Sequence, residues 1–168
     1  QWKYTFQDQH GFIADKSLRS REHFGYLNLI YQNEFTEGNT IKVGGSVLVN
    51  AVQESLATYS TKRTEIVPGI FSEVTFNPLK KLTIVGGLRV DHHNLYGTFL
   101  SPRLHLKWEP LYALTIRASA GRGYRTPNLI ADNYAYFFSH RTVQFGQLKP
   151  EIAWNYGVSL AYKFNLAF

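Results

Sequence analysis

The sequence has no cysteine and no methionine. Without cysteine there is no disulfide framework and no thiolate metal site, although this does not fix the compartment. No apolar run approaches the roughly 18 residues of a membrane helix, and no segment shows a convincing helical period. No G-x-S-x-G elbow marks a hydrolase nucleophile, and no catalytic constellation is visible. No glycine-rich phosphate loop is present, since Gly121-Arg122-Gly123 lies inside a strand pattern. The chain opens QWKYTFQDQH, with neither an initiator methionine nor a secretory signal, and so reads as a mature form or a portion. The net charge is +6, but the Lys and Arg residues are scattered, so nucleic acid is not indicated. Nothing calls for a cofactor or a metal. His92 and His93 are adjacent, which sends them to opposite faces of a strand.

What the sequence does have is alternation. From Ala153 to Phe168, Trp154, Tyr156, Val158, Leu160, Tyr162, Phe164, Leu166 and Phe168 share one parity. The other parity is small or polar. Period two means a β-strand with two unlike faces. Strands of soluble sheets run about 5–6 residues, whereas a membrane-spanning strand needs roughly 9–11. Similar alternation runs through Leu27–Phe35, Ile41–Asn50, Leu82–Asp91, Leu100–Trp108 and Leu114–Gly121, with Glu65–Phe76 noisier and Gln1–Gln7 short. The expectation is an all-β fold of about eight antiparallel, up-and-down transmembrane strands, filling residues 1–168 as one partial barrel domain.

The connections add a second pattern. Long loops are expected near residues 8–22, 53–64 and 125–150, with a medium one near 93–99. Short turns are expected at Glu37-Gly38-Asn39, Asn77-Pro78-Leu79 and Glu109-Pro110-Leu111. Outer-membrane barrels keep short turns on the periplasmic side and long loops outside. In that orientation Trp2 and Trp108 belong at the inner interface and Trp154 near the outer one.

Three sequence pieces then fall in order: Ser101-Pro102-Arg103, Gly123-Tyr124-Arg125-Thr126-Pro127-Asn128 and Leu148-Lys149-Pro150-Glu151. Together they resemble the barrel of TonB-dependent outer-membrane receptors, with a leaning toward those of Bacteroidetes-type bacteria. The resemblance implies a 22-stranded barrel with an N-terminal plug, uptake of a scarce nutrient (siderophore, cobalamin or glycan) and energy supplied by TonB. It also implies a place in the outer-membrane lipid. The plug and the remaining strands are absent from these 168 residues.

If the apolar parity faces lipid, then Arg89, Asp91, Arg103, His105, Lys107 and Arg117 face the lumen. Arg89, Arg103, His105 and Arg117 are therefore candidates for contact with an anionic ligand, because Arg makes bidentate contacts to carboxylate or phosphate. Plug carboxylates or simple solvation of the wall are the alternatives. The resemblance places Arg122 and Arg125 at the upper rim, where Gly121 and Gly123 would also allow a bend. Tyr134, Tyr136, Phe137 and Phe138 lie in the longest expected loop.

Two other architectures remain open. A complete eight-stranded barrel, serving as an anchor or adhesion module, would bury Arg89, Arg103, Lys107 and Arg117 against few carboxylates: Glu34, Glu73 and Asp91. A soluble β-sandwich or lipocalin-like binder would have to expose its apolar rows to water.

Overall fold

The computed structural model describes residues 1–13, 16–56, 59–127 and 149–164. They form eight strands: β1 (Trp2–Ile13), β2 (Lys16–Thr36), β3 (Asn39–Leu56), β4 (Tyr59–Leu79), β5 (Leu82–His93), β6 (Gly97–Leu111), β7 (Leu114–Arg125) and β8 (Glu151–Tyr162). All belong to one sheet in sequential order, and every neighbouring pair is antiparallel. The up-and-down architecture expected from the alternation is therefore present. The sheet is open, with β1 and β8 as its edges, so the chain does not close into a small eight-stranded barrel.

Among the described residues no second layer covers the sheet, yet its two faces differ in exposure. Along β4, every odd residue from 61 to 77 is partly or fully buried, and every even one from 60 to 78 is exposed. In a single layer this asymmetry means curvature, with the concave face shielded by its own side chains. The register extends that concave face across the sheet. Ser46 pairs with Gly69, Gly69 with Asp91, Arg89 with Ser101, Arg103 with Gly121 and Gly121 with Asn155. The convex face carries the apolar rows, among them Leu29, Ile70, Leu88, Leu104, Val158 and Leu160, all exposed. Bare apolar surface on this scale suits hydrocarbon and not water, which disposes of the soluble binder. Open strand edges are not tolerated in lipid, so both edges need partner strands there.

Several expected boundaries are corrected. The segments near 8–22 and 53–64 are not loops, because β1–β2 and β3–β4 stay paired up to Ile13–Lys16 and Leu56–Tyr59. Strands β2 and β4 have 21 residues each, about twice what the membrane requires. Above the lipid zone neither face must be apolar, so the period-two signal fades while the backbone ladder continues. The expected loop near 93–99 is a turn at Asn94–Tyr96. The segments with Pro78 and Pro110 belong to β4 and β6, beside register shifts at Phe76/Leu79 and Trp108/Leu111. A bulge tolerates a residue without an N–H, and the turns follow at Lys80–Lys81 and Tyr112–Ala113. At Glu37–Gly38 the glycine takes φ 74°, the left-handed conformation such a turn uses.

Trp108 lies at the short-turn end, as expected. Trp2 pairs with Leu27, and β2 continues to Thr36, so Trp2 sits at mid-height and not at the inner interface. Strand β8 ends at Tyr162, short of Phe164, and residues 165–168 lie outside the described set.

Candidate functional site

The concave wall is built from glycines that give room to long side chains of the neighbouring strand. A Cβ on Gly44 would collide with the Phe71 ring and with the Leu29 carbonyl oxygen. Phe71, its partner across β3–β4, therefore lies flat over Gly44. The Arg89 guanidinium sits 5.7 Å from the centre of that ring, a cation–π contact. In the same way the Asp91 carboxylate fills the space above Gly69, and Arg103 lies across Gly87.

These seats organise the charges. Arg89 donates through Nε to Asp91 at 2.8 Å and through Nη2 to the Ser46 hydroxyl at 2.7 Å. Asp91 is only 3% exposed, so its charge depends on this partner. Arg103 and Lys42 both pair with Glu73. Arg63 lies 3.0 Å from Glu65. Glu22 accepts from the Asn50 amide at 2.8 Å. The inner wall thus holds Glu22, Glu54, Glu65 and Glu109 beyond the Glu73 and Asp91 expected from the sequence. Glu34 instead accepts from the Gly38 amide at the short turn.

Lower on the wall the balance changes. Lys107 and Arg117 are directly opposed across β6–β7. Like charges so placed repel each other. Lys107 has Glu109 at 3.0 Å, but Arg117 and His105 have no ion-pair partner among the described residues. Lys107, Arg117 and the His105 imidazole border an inward recess of about 390 Å³ with Thr83, Ser119 and Ser159.

The element Gly121–Pro127 departs from simple alternation. The β6–β7 ladder stops at Arg103–Gly121, one step from Pro102, which has no N–H to donate. Ser101-Pro102-Arg103 thus lies inside β6 and not at its start. Parity would send Tyr124 to the convex face, yet its ring stacks on Phe99 with centroids 3.9 Å apart and planes at 9°. Phe99 is 6% exposed and pairs with Asp91 on the concave side. The stack sets Tyr124 beside the Arg89–Asp91 cluster. Arg122 donates to the Leu100 carbonyl at 3.1 Å. With Asn28, Arg89 and Arg103 it borders a second recess of about 370 Å³. Beyond Arg125, which lies 3.7 Å from Glu151, the chain turns over the wall: Arg63 donates to the Pro127 carbonyl at 3.1 Å. Asn128, Leu148, Tyr134, Tyr136, Phe137 and Phe138 lie outside the described residues.

The sequence-derived candidates therefore fall into two groups. Arg89, Arg103 and Arg122 meet at the upper recess, and His105 and Arg117 at the lower one. Arg125 stands apart at the rim. Arg63, Glu65 and Phe99 were missed by sequence reasoning. In β2 and β4 the inward row mixes apolar and charged residues, which blurs the parity.

His93 sits at the top of β5, above Val90 and Leu100, and is 2% exposed. Its Nδ1 accepts from the Leu95 amide at 3.1 Å, which requires that nitrogen to be unprotonated. Burial pushes the imidazole below its ordinary pKa. Glu65 opposes this, while Arg63 and His92 reinforce it. A depressed histidine contributes stability above its ordinary range, and that stability is lost as pH falls. Acidification from pH 7 to pH 5 should therefore lower the protection factor of the Leu95 amide, the exchange rate being taken relative to the intrinsic base-catalysed rate at each pH. The drop should vanish in His93→Gln, and an unchanged protection factor in the parent would refute the linkage. His92 faces outward and contacts the Thr98 hydroxyl at 2.9 Å, so the two imidazoles diverge.

Comparison with known proteins agrees with this geometry. The family model "TonB dependent receptor-like, beta-barrel" matches residues 1–168. The ferric enterobactin receptor of Pseudomonas aeruginosa is 29% identical over 71% of the chain, and this chain covers 17% of it. The siderophore receptor PirA of Pseudomonas aeruginosa superposes with a TM-score of 0.68 at 18% identity, covering 98% of this chain and 32% of that one. PirA of Acinetobacter baumannii gives 0.62 at 15% identity, covering 92% of this chain and 26% of the other. The chain thus spans under a third of each relative's length. Matched by the family along all of its residues, it belongs to the TonB-dependent receptor β-barrels of the outer membrane.

Proposed function

We propose that this chain is part of the wall of an outer-membrane receptor that takes up a ferric siderophore with energy delivered through TonB. The observation that carries the reading is the cationic patch low on the inner wall, where Arg117 is set against Lys107 with no carboxylate of its own among the described residues. Such a surface lowers its energy by facing an anion, either a negatively charged ferric chelate or a carboxylate of a plug domain. Arg89, Arg103 and Arg122 offer guanidinium forks at the upper recess, and Arg125 stands where a ligand would enter. The glycan and cobalamin readings have no comparable support, because neither ligand needs a row of cations. The machinery is that of a receptor, not an enzyme.

The test is iron-limited growth of a strain that has the intact receptor as its sole siderophore route, with radioactive ferric chelates supplied. Accumulation should require TonB and be displaced by unlabelled chelate. No uptake of catecholate or hydroxamate chelates, alongside uptake of cobalamin or an oligosaccharide, would overturn the siderophore assignment.

A further inference from the structure

Strand β4 climbs well above its neighbour β5. Tyr59–Pro68 pair with β3, while the β4–β5 ladder reaches no higher than Gly69–Asp91. Pro68 interrupts it, having no N–H to give across that edge. The turn Asn94–Tyr96 then carries the chain away, and its first residue ends the contact with a side chain. Asn94 donates its backbone N–H to the Ile66 carbonyl at 3.2 Å. Its Oδ1 accepts the Ile66 N–H at 3.0 Å, and its Nδ2 donates to the Thr64 carbonyl at 2.9 Å. One carboxamide thus stands where a peptide group of a further strand would stand. Backbone groups alternate in direction along a strand, so those of Lys62 and Ser60 point the same way as those of Ile66 and Thr64. Among the described residues the Thr64 N–H and the N–H and C=O of Lys62 and Ser60 have no partner on that side. Ser60, Lys62 and Thr64 are exposed, and no carboxylate pairs with Lys62 among the described residues.

We propose that Ser60–Thr64 is a docking edge for an extended segment of another protein outside the cell, which adds to β4 as a short further strand. The short turns mark the periplasmic end, so this edge stands on the extracellular side. Only a polypeptide backbone repeats donor and acceptor at strand spacing. The Asn94 carboxamide already fills the lowest rungs of the same edge with amide groups. The partner residue opposite Lys62 is acidic, because a cross-strand pair there supplies the carboxylate that Lys62 lacks. A lysine on an edge also repels stray strands. An edge built only for that purpose carries bulges or prolines, whereas Ser60–Thr64 runs beside β3 with no register shift.

The experiment uses the intact receptor in detergent and the peptide Thr-Val-Asp-Val-Thr, carrying a neutral dye and read by fluorescence anisotropy. The peptide should bind saturably and slow hydrogen exchange at the Lys62 and Thr64 amides. Methylating its Thr and Asp backbone nitrogens removes the donors that face β4 and should weaken binding about tenfold. Lys62→Pro should give a similar loss with the heat-modifiable mobility of the barrel unchanged, because the Lys62 amide points away from the β3 ladder. Lys62→Glu should weaken binding of this peptide and strengthen that of one with Lys in place of Asp, each about threefold. Lys80→Gln, in a short turn at the opposite end, should behave as the parent. If Lys62→Pro does not fold, the methylated peptide on the parent receptor decides the matter. Absence of saturable binding, equal binding of the methylated peptide, or parent-like binding by Lys62→Pro would each overturn the proposal.

Discussion

Gly44→Val should abolish the folded receptor. A Cβ at position 44 meets the Leu29 carbonyl oxygen at 2.5 Å and overlaps the Phe71 ring. The ring could rotate away, but the carbonyl belongs to the β2–β3 ladder and cannot move without breaking it. Ring displacement would also remove the support of the Arg89 guanidinium, 5.7 Å from the ring centre. Overpacking alone costs about 1–3 kcal/mol, and a backbone collision in a ladder adds to that. The expected result is loss of the heat-modifiable barrel band and of receptor in the outer membrane. Gly11, with no atom within 4 Å of its would-be Cβ, is the control, and Gly11→Val should assemble normally. Normal assembly of Gly44→Val would show that the wall is not packed as described.

The second large effect is expected from Asp91→Ala. The carboxylate accepts from Arg89, and its removal strands that guanidinium. Breaking a buried pair costs about 3–5 kcal/mol. Arg89 is 35% exposed, so water recovers part of its hydration and the expected loss is about 2 kcal/mol. Chemical unfolding of the intact receptor in detergent measures it. Replacing both partners, as Arg89→Met/Asp91→Leu, should recover most of the loss, because no unpaired charge remains. A double variant less stable than Asp91→Ala would contradict the pairing argument.

The legible part of this fold was the part in contact with lipid. In β5 to β8, hydrocarbon on one side and polar groups on the other force strict alternation, so Leu82, Ile84, Leu88 and Val90 disclosed their face at once. In β2 to β4 the strands run past the membrane, and Arg19, Arg21, Gln53, Ser55 and Lys62 share the outward face with Leu27, Val47 and Ile66. Outward polar residues there erase the pattern without ending the strand. The charged candidates were found because parity alone assigns a residue to a wall. Their partners were not, since pairing depends on register: nothing local says that Arg103 reaches Glu73, or that Arg63 reaches Pro127. Tyr124 departs from its parity for a related reason. Its inward stack on Phe99 follows from a ladder that stops at Gly121, and Pro102, Gly121 and Gly123 were the local signs of it.

On the proposed function, the glycine seats bear on how a passing group meets the wall. Arg89, Asp91 and Arg103 occupy space that larger neighbours would have claimed, so they rest against the wall and do not reach toward the axis. Charge is thus supplied at little cost in clearance. A bulky domain or a ferric chelate could slide along such a surface and exchange one guanidinium for the next, meeting a shallow series of attractions and no single deep trap.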